Sequence, residues 1–126
     1  MTLNVRNLRV LVIEDEPLIT MEIEDVIEML GYQIVGPFAH INEASAAAEK
    51  SDFDCAILDV NIRGGNTYEI ANILLERGCP FVIASGYSDW SIPNNLSVRK
   101  RLTKPYESTQ LEAELRLLEA EVVAKK

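Results

Sequence analysis

The chain has 126 residues, 48% of them hydrophobic and 25% charged, which is typical of a globular domain with one buried core. Its formal net charge of −8 argues against direct binding to nucleic acid, because such a chain lacks a basic surface for phosphates. No uncharged apolar run reaches about 18 residues and the N-terminus lacks a signal-peptide layout, so we expect a cytoplasmic protein without a membrane segment.

The cysteines and the histidine do not indicate a metal site. Cys55 and Cys79 stand in apolar surroundings without the spacing of a metal-binding pair, so we predict buried free thiols in a reducing compartment. His40 has no partner at ligand spacing and is interpreted as a loop or cap residue.

The first predicted elements are a buried strand and an amphipathic helix. Residues Val10–Ile13 form a continuous apolar run, typical of a strand buried on both faces. Pro17 stands where a helix begins and Gly31 where it ends. Between them, apolar residues recur on one helical face, at Ile19, Ile23, Val26 and Leu30.

A second strand and a second helix follow. Residues Tyr32–Val35 predict a strand that Gly36-Pro37 ends. The segment Ile41–Lys50 is rich in alanine and glutamate and predicts a helix, with Asn42 as its cap.

The middle of the chain repeats this alternation. Residues Asp54–Leu58 predict a third buried strand that ends at Asp59, and Arg63–Asn66 predicts a loop. Residues Thr67–Arg77 predict a helix, and Pro80–Ala84 predicts the fourth strand.

The last elements complete an α/β pattern. Residues Ser88–Asn95 are polar and include a proline, so any helix there is short or irregular. Residues Arg99–Thr103 predict a weaker fifth strand, and Ser108 opens a helix with a leucine-rich face. We predict a single domain over residues 1–126. It is a doubly wound five-stranded parallel sheet in flavodoxin-like order 2-1-3-4-5, with helices on both faces.

Charged and polar side chains follow four of the five predicted strands. They are Glu14-Asp15-Glu16, Asp59, Ser85 and Thr103-Lys104-Pro105. Each segment alone fits a turn or a solvated helix start. Because the carboxyl ends of parallel strands meet at one edge of the sheet, we expect them to form one site.

Such a site needs a cation. Two carboxylates about 4 Å apart repel by roughly 4 kcal/mol in a surface-like dielectric. Mg2+ relieves this repulsion with few protein ligands and retains waters that phosphoryl oxygens can replace. Lys104 adds a second positive charge, and Asp59 is the central candidate nucleophile. The set predicts phosphoryl transfer.

Four segments resemble receiver domains (CheY-like) of bacterial two-component signalling, and the similarity covers essentially the whole chain. They are Val10–Pro17, Ala56–Asn61, Lys104-Pro105 and, in part, Ile83–Tyr87. The last is similar to a subgroup of single-domain receivers with a Phe-Ala-Thr-Gly-hydrophobic-Tyr motif.

The resemblance implies a magnesium site. Asp15 and Asp59 would bind Mg2+ through their side chains, Asn61 through its backbone carbonyl and Glu14 mostly through water. It also implies a cis peptide bond between Lys104 and Pro105, as X-Pro bonds permit.

The resemblance further implies a phosphorylation switch. A histidine kinase or phosphotransfer protein would donate a phosphoryl group to Asp59, Lys104 would pair with a phosphoryl oxygen, and Ser85 would hydrogen-bond the group and move its loop. Asn61 and Tyr87 would tune the slow hydrolysis.

One position departs from the family pattern. Family members carry an aromatic residue three positions before the lysine, whereas this chain has Arg101. The basic segment Arg99–Arg101 is either a charged edge strand that resists association or a docking patch for an acidic partner. Trp90 is either a packed residue or an exposed partner anchor.

We therefore expect a signalling receiver, not a turnover enzyme, that acts as a monomer or weak homodimer through a downstream protein partner or by phosphoryl relay. We expect no output domain in this chain, since the last predicted helix reaches its end. Two alternatives remain open. One is an unphosphorylated interaction module. The other is a flavin-binding electron carrier, in which Glu14-Asp15-Glu16 would repel the flavin phosphate.

Overall fold

The computed structural model describes residues 8–86, 93–96 and 99–125. Helices and strands alternate along these residues. They are β1 (Arg9–Ile13), α1 (Pro17–Leu30), β2 (Gln33–Phe38), α2 (Ile41–Lys50), β3 (Cys55–Asp59), β4 (Asn61–Ile62), β5 (Gly65–Asn66), α3 (Tyr68–Glu76), β6 (Phe81–Ser85), a 3-10 helix (Asn94–Leu96), β7 (Arg101–Thr103) and α4 (Ser108–Ala124).

Five strands form one parallel sheet in the order β2-β1-β3-β6-β7, which confirms the predicted flavodoxin-like order. In the register, Val12 of β1 lies beside Ile57 of β3, and Asp59 lies beside Ala84 of β6. Strand β3 is therefore central, and its last residue, Asp59, lies between the ends of β1 and β6.

Helices cover both faces of the sheet. Successive strand residues point to opposite faces, so Val10 and Val12 pack toward α1 and α4, whereas Leu11 and Ile13 pack toward α2 and α3. The helices contribute residues of their predicted apolar faces: Ile23 and Val26 from α1, and Leu111, Leu115, Leu118 and Val122 from α4. These two cores hold the sheet rigid beneath its carboxyl edge.

Strand β2 is longer than predicted. The prediction that Gly36-Pro37 ends the strand is wrong, because β2 continues through both residues to Phe38. Gly36 has a φ of 110°, and its peptide bond to Pro37 is cis. The proline is tolerated because β2 is an edge strand, where a missing N–H breaks no ladder on the open side.

Two local predictions also need correction. The segment Arg63–Asn66 is more than a loop, since β4 and β5 pair antiparallel as a small hairpin. The cap of α2 is His40 rather than Asn42, and the His40 Nδ1 accepts a hydrogen bond of 3.1 Å from the Asn42 N–H. The cap role predicted for His40 is confirmed.

The remaining differences are small. The prediction of a short or irregular helix over residues 88–95 agrees with the 3-10 helix at Asn94–Leu96, within the part of that segment that the structure describes. Tyr87, Ser88 and Trp90 lie outside the described residues. Both cysteines are free: Cys55 is buried, and Cys79 is only partly so. Among the described helices, none has the length and apolar character needed to cross a membrane.

Candidate functional site

Three carboxylates meet at the carboxyl edge of the sheet. Glu14 and Asp15 follow β1, and Asp59 ends the adjacent strand β3. One carboxylate oxygen from each residue lies within 4.8 Å of the others. The predicted convergence of Asp15 and Asp59 is therefore present, since these oxygens are close enough to share one cation.

Glu14 is the most buried of the three, with 2% of its surface exposed. Its Oε2 accepts hydrogen bonds of 3.1 Å from the N–H groups of Asp15 and Glu16. Burial and the neighbouring Asp59 carboxylate raise the pKa of Glu14 from 4.5 to about 7, against the opposing effect of Lys104. Without a cation, this carboxyl group holds a proton more strongly than an ordinary glutamate does.

Lys104 bridges two of the carboxylates. Its Nζ lies 2.8 Å from Asp59 Oδ2 and 3.0 Å from Glu14 Oε1. Burial alone would lower the pKa of this ammonium, but its contacts with Asp59 and Glu14 outweigh burial and raise that pKa. The Lys104–Pro105 peptide bond is cis, as expected. The ammonium is thus held directly beside the candidate nucleophile.

The backbone around Asp59 is fixed by Thr67, a residue that the sequence analysis did not single out for the site. The Thr67 side chain is buried, and its Oγ1 donates to the carbonyls of Asp59 at 2.6 Å and Val60 at 3.2 Å. The Asn61 N–H donates a long hydrogen bond of 3.4 Å to Asp59 Oδ1. Thr67 precedes α3, but its side chain makes no capping hydrogen bond there, so its position carries no sequence signal for this role.

Ser85 ends β6 and contacts an arginine. The Ser85 side chain is buried, and its Oγ accepts a hydrogen bond of 2.9 Å from the guanidinium of Arg101. The Ser85 carbonyl accepts the Lys104 N–H at 2.8 Å, which ties β6 to the segment after β7. Ser85 and Lys104 are therefore held in a fixed relation at one end of the site.

A family profile for the response regulator receiver domain matches residues 10–116, which include every residue of this site and all of the sheet except Arg9. The chain belongs to the response regulator receiver family. Receivers of this family are phosphoacceptor switches in two-component signalling, they bind Mg2+ at an acidic pocket, and they interact with histidine kinases or phosphotransfer proteins.

Relatives of known structure agree with this assignment. The solution structure of SdrG from Sphingomonas melonis Fr1 is 38% identical, covers 94% of this chain and 98% of that chain, and has a TM-score of 0.77. SdrG in its BeF3-activated conformation is 40% identical over 87% of this chain and 94% of that chain, with a TM-score of 0.71. The receiver domain of the sensor histidine kinase PA1611 from Pseudomonas aeruginosa PAO1 holds magnesium in its active-site cleft. It is 20% identical over 92% of this chain and 98% of that chain, with a TM-score of 0.74.

One curated relative is a transcriptional regulatory protein, PdtaR from Mycobacterium tuberculosis H37Rv. It is 30% identical over 107 residues, which are 82% of this chain and 52% of PdtaR. The chain thus spans about half the length of this relative.

The side chains of this receiver fit a magnesium ion. Three carboxylates within 4.8 Å supply the hard oxygen ligands that Mg2+ prefers. The raised pKa of Glu14 has burial as its largest cause, followed by repulsion from Asp59, and a divalent cation relieves that repulsion. Lys104 contacts two of these carboxylates, so an ion bound there would have Lys104 as a second cation beside it.

Proposed function

We propose that Asp59 accepts a phosphoryl group from a phosphohistidine, with Mg2+ held by Asp15, Asp59, the Asn61 carbonyl and, through water, Glu14. The observation that carries the proposal is the joint placement of the three carboxylates within 4.8 Å of one another and of Lys104 Nζ 2.8 Å from Asp59. A structural salt bridge alone would not require a third carboxylate.

In the proposed reaction, a carboxylate oxygen of Asp59 attacks phosphorus, and the phosphorus–nitrogen bond of the donor histidine breaks. The electron pair of that bond stays on the histidine nitrogen. Lys104 stabilises the charge that develops on the phosphoryl oxygens, because its ammonium already lies at the carboxylate. Mg2+, when bound, supplies further charge neutralisation between carboxylate and phosphoryl oxygens.

Ser85 gives the proposed switch its readout. Its hydroxyl lies on β6, the strand next to Asp59, and would donate a hydrogen bond to a phosphoryl oxygen. Formation of this hydrogen bond by Ser85 would alter the surface formed by β6, β7 and the segments after them. A partner protein would bind that surface, or the phosphoryl group would pass to a second histidine.

We propose that this receiver is a switch and not a turnover enzyme: it catalyses its own phosphorylation and the slow hydrolysis of the product. Asn61 and Tyr87 would tune that hydrolysis. We further propose that it acts in the cytoplasm, where free thiols such as Cys55 persist.

Incubation with acetyl phosphate and Mg2+, followed by intact-mass measurement, tests the proposal. The wild-type chain should gain one phosphoryl group, and Asp59→Asn should gain none because the nucleophile is gone. Asp52→Asn is the matched control, since the Asp52 side chain is 96% exposed and contacts Arg9 at 3.9 Å, at the opposite end of β1 from Glu14. Equal uptake by wild type and Asp59→Asn would refute the proposal. No uptake by the wild type would favour an unphosphorylated interaction module.

A further inference from the structure

Arg101 lies on β7, next to the strand that carries Ser85. In the register, Arg101 pairs with Ile83 and Thr103 pairs with Ser85. The Arg101 guanidinium donates a hydrogen bond of 2.9 Å to Ser85 Oγ. An exposed residue of the edge strand therefore makes a direct contact with a buried hydroxyl of the site.

The two neighbouring basic residues make different contacts. Arg99 pairs with Glu121 at 3.1 Å, and Lys100 lies 3.9 Å from Glu114, so both link this part of the chain to α4. Arg101 differs from them because it contacts Ser85 at the carboxyl edge of the sheet, where Asp59 and Lys104 also meet. A general role as a solubilising edge charge does not account for this contact.

The direction of this hydrogen bond decides what Ser85 can do. A serine hydroxyl has one donor hydrogen and two acceptor lone pairs. Because Arg101 uses one of the lone pairs, the Ser85 hydrogen can still be donated to another group. A charged donor on one side of a hydroxyl strengthens the hydrogen bond that the hydroxyl gives on its other side. An aromatic side chain at position 101 could not have this effect through its ring.

We propose that Arg101 is a positioning residue for the phosphoryl group: it holds Ser85 Oγ as an acceptor so that the Ser85 O–H points at a phosphoryl oxygen on Asp59. The inference rests on the proposed phosphorylation of Asp59 and deepens it. In this receiver, the step from phosphorylation to the β7 surface then runs through a guanidinium, in place of the aromatic residue of the family pattern.

A mutant series on phosphorylation from acetyl phosphate tests the inference. Arg101→Ala should slow the initial rate of phosphorylation about tenfold, the effect of one hydrogen bond from a charged donor. Arg101→Lys should recover part of the rate, because it keeps the charge and loses the forked geometry. Lys100→Ala is the matched control: it removes one positive charge from the adjacent position and should stay within about twofold of wild type.

The double variant separates positioning from a general loss of charge. If Arg101 acts through Ser85, then Arg101→Ala should cause no further loss in a Ser85→Ala background. Thermal unfolding of each variant, measured alongside, identifies any variant that has simply lost its fold. A further loss in that background as large as in wild type would overturn the inference, as would equal rates for Arg101→Ala and Lys100→Ala.

The series also distinguishes the two proposals. If the wild type takes up a phosphoryl group, Asp59→Asn does not, and Arg101→Ala behaves as wild type, then only the inference about Arg101 fails. If the wild type takes up none, both fail.

Discussion

Lys104 is the residue on which the charge balance of the site depends. Its side chain is mostly buried and contacts two carboxylates that are themselves almost fully buried, Glu14 and Asp59. Buried charges of one sign are tolerated when an opposite charge lies in contact with them. The same ammonium that the proposed reaction needs therefore also stabilises the fold while no cation is bound.

Replacing Lys104 should reveal both roles. In EDTA at about pH 8, Lys104→Met should lower the free energy of unfolding by on the order of 3 kcal/mol, because two buried carboxylates lose their counter-charge. The same variant should phosphorylate far more slowly than wild type. Urea denaturation gives the first quantity and intact-mass kinetics the second. Lys104→Arg, which keeps the charge, should retain most of the stability, and an equal loss in both variants would contradict the electrostatic explanation.

At the scale of the elements, Gly36 allows the edge strand β2 to approach β1 closely. Its φ of 110° suits glycine, and a Cβ built there would lie 2.9 Å from the Phe38 nitrogen and 3.0 Å from the Val12 carbonyl oxygen. The edge strand thus turns tightly against β1 at this residue and still pairs with it further on, where Phe38 lies beside Ile13. A side chain would push β2 away from β1 close to Glu14.

Gly36→Ala should destabilise the fold more than Gly65→Ala. Both residues have a positive φ, so alanine is strained at each, by about 1–3 kcal/mol. A Cβ at Gly65 has no neighbouring atom within 4 Å. The Cβ at Gly36 would clash with backbone atoms of β1 and β2, which can move only if the strands shift. Urea midpoints of the two variants measure the difference. Equal losses would show that backbone strain alone governs Gly36.

The elements also show which features can be predicted from a sequence. The five main strands and the amphipathic helices were predictable because burial on a face imposes an apolar pattern with a fixed period. The hairpin of β4 and β5 was not, since two-residue strands are too short to show a period. Gly36-Pro37 was misread because only the position of β2 at the sheet edge, a tertiary fact, permits a strand through a proline.

In the site, too, some features follow from the sequence pattern and others depend on tertiary structure. The convergence of Asp15, Asp59 and Lys104 followed from parallel strands that end at one edge. The bond from Thr67 to the Asp59 carbonyl spans eight residues, and the bond from Arg101 to Ser85 spans sixteen. Neither bond leaves a local signal in the sequence, because only the folded chain brings its two partners together.

At the scale of the whole molecule, the fold gathers negative charge at one edge of an already acidic chain, with a net charge of −8. The folded protein therefore stores repulsion that the unfolded chain does not have, because unfolding separates Glu14 from Asp59. The raised pKa of Glu14 comes first from its burial and second from this repulsion by Asp59. Its consequence is that protons and cations compete for the same place in the fold.

The stability of the metal-free protein should therefore depend on pH through Glu14. The folded pKa of about 7 lies above the ordinary 4.5, so the folded state binds the proton more tightly, and this stabilisation is lost as the pH rises from 4.5 through 7. Glu14→Gln, which stays neutral, should have the same free energy of unfolding as wild type at about pH 4.5. At about pH 8 its free energy of unfolding should be higher by on the order of 2 kcal/mol.

Added Mg2+ favours the ionised carboxylates, so it should raise the wild-type melting temperature more at pH 8 than at pH 6. Thermal unfolding of both proteins in EDTA measures the stability differences at pH 4.5 and pH 8. The same measurement with Mg2+ gives the shifts in wild-type melting temperature at pH 6 and pH 8. A stability difference between wild type and Glu14→Gln that does not change with pH would contradict a raised pKa of Glu14 in the folded protein.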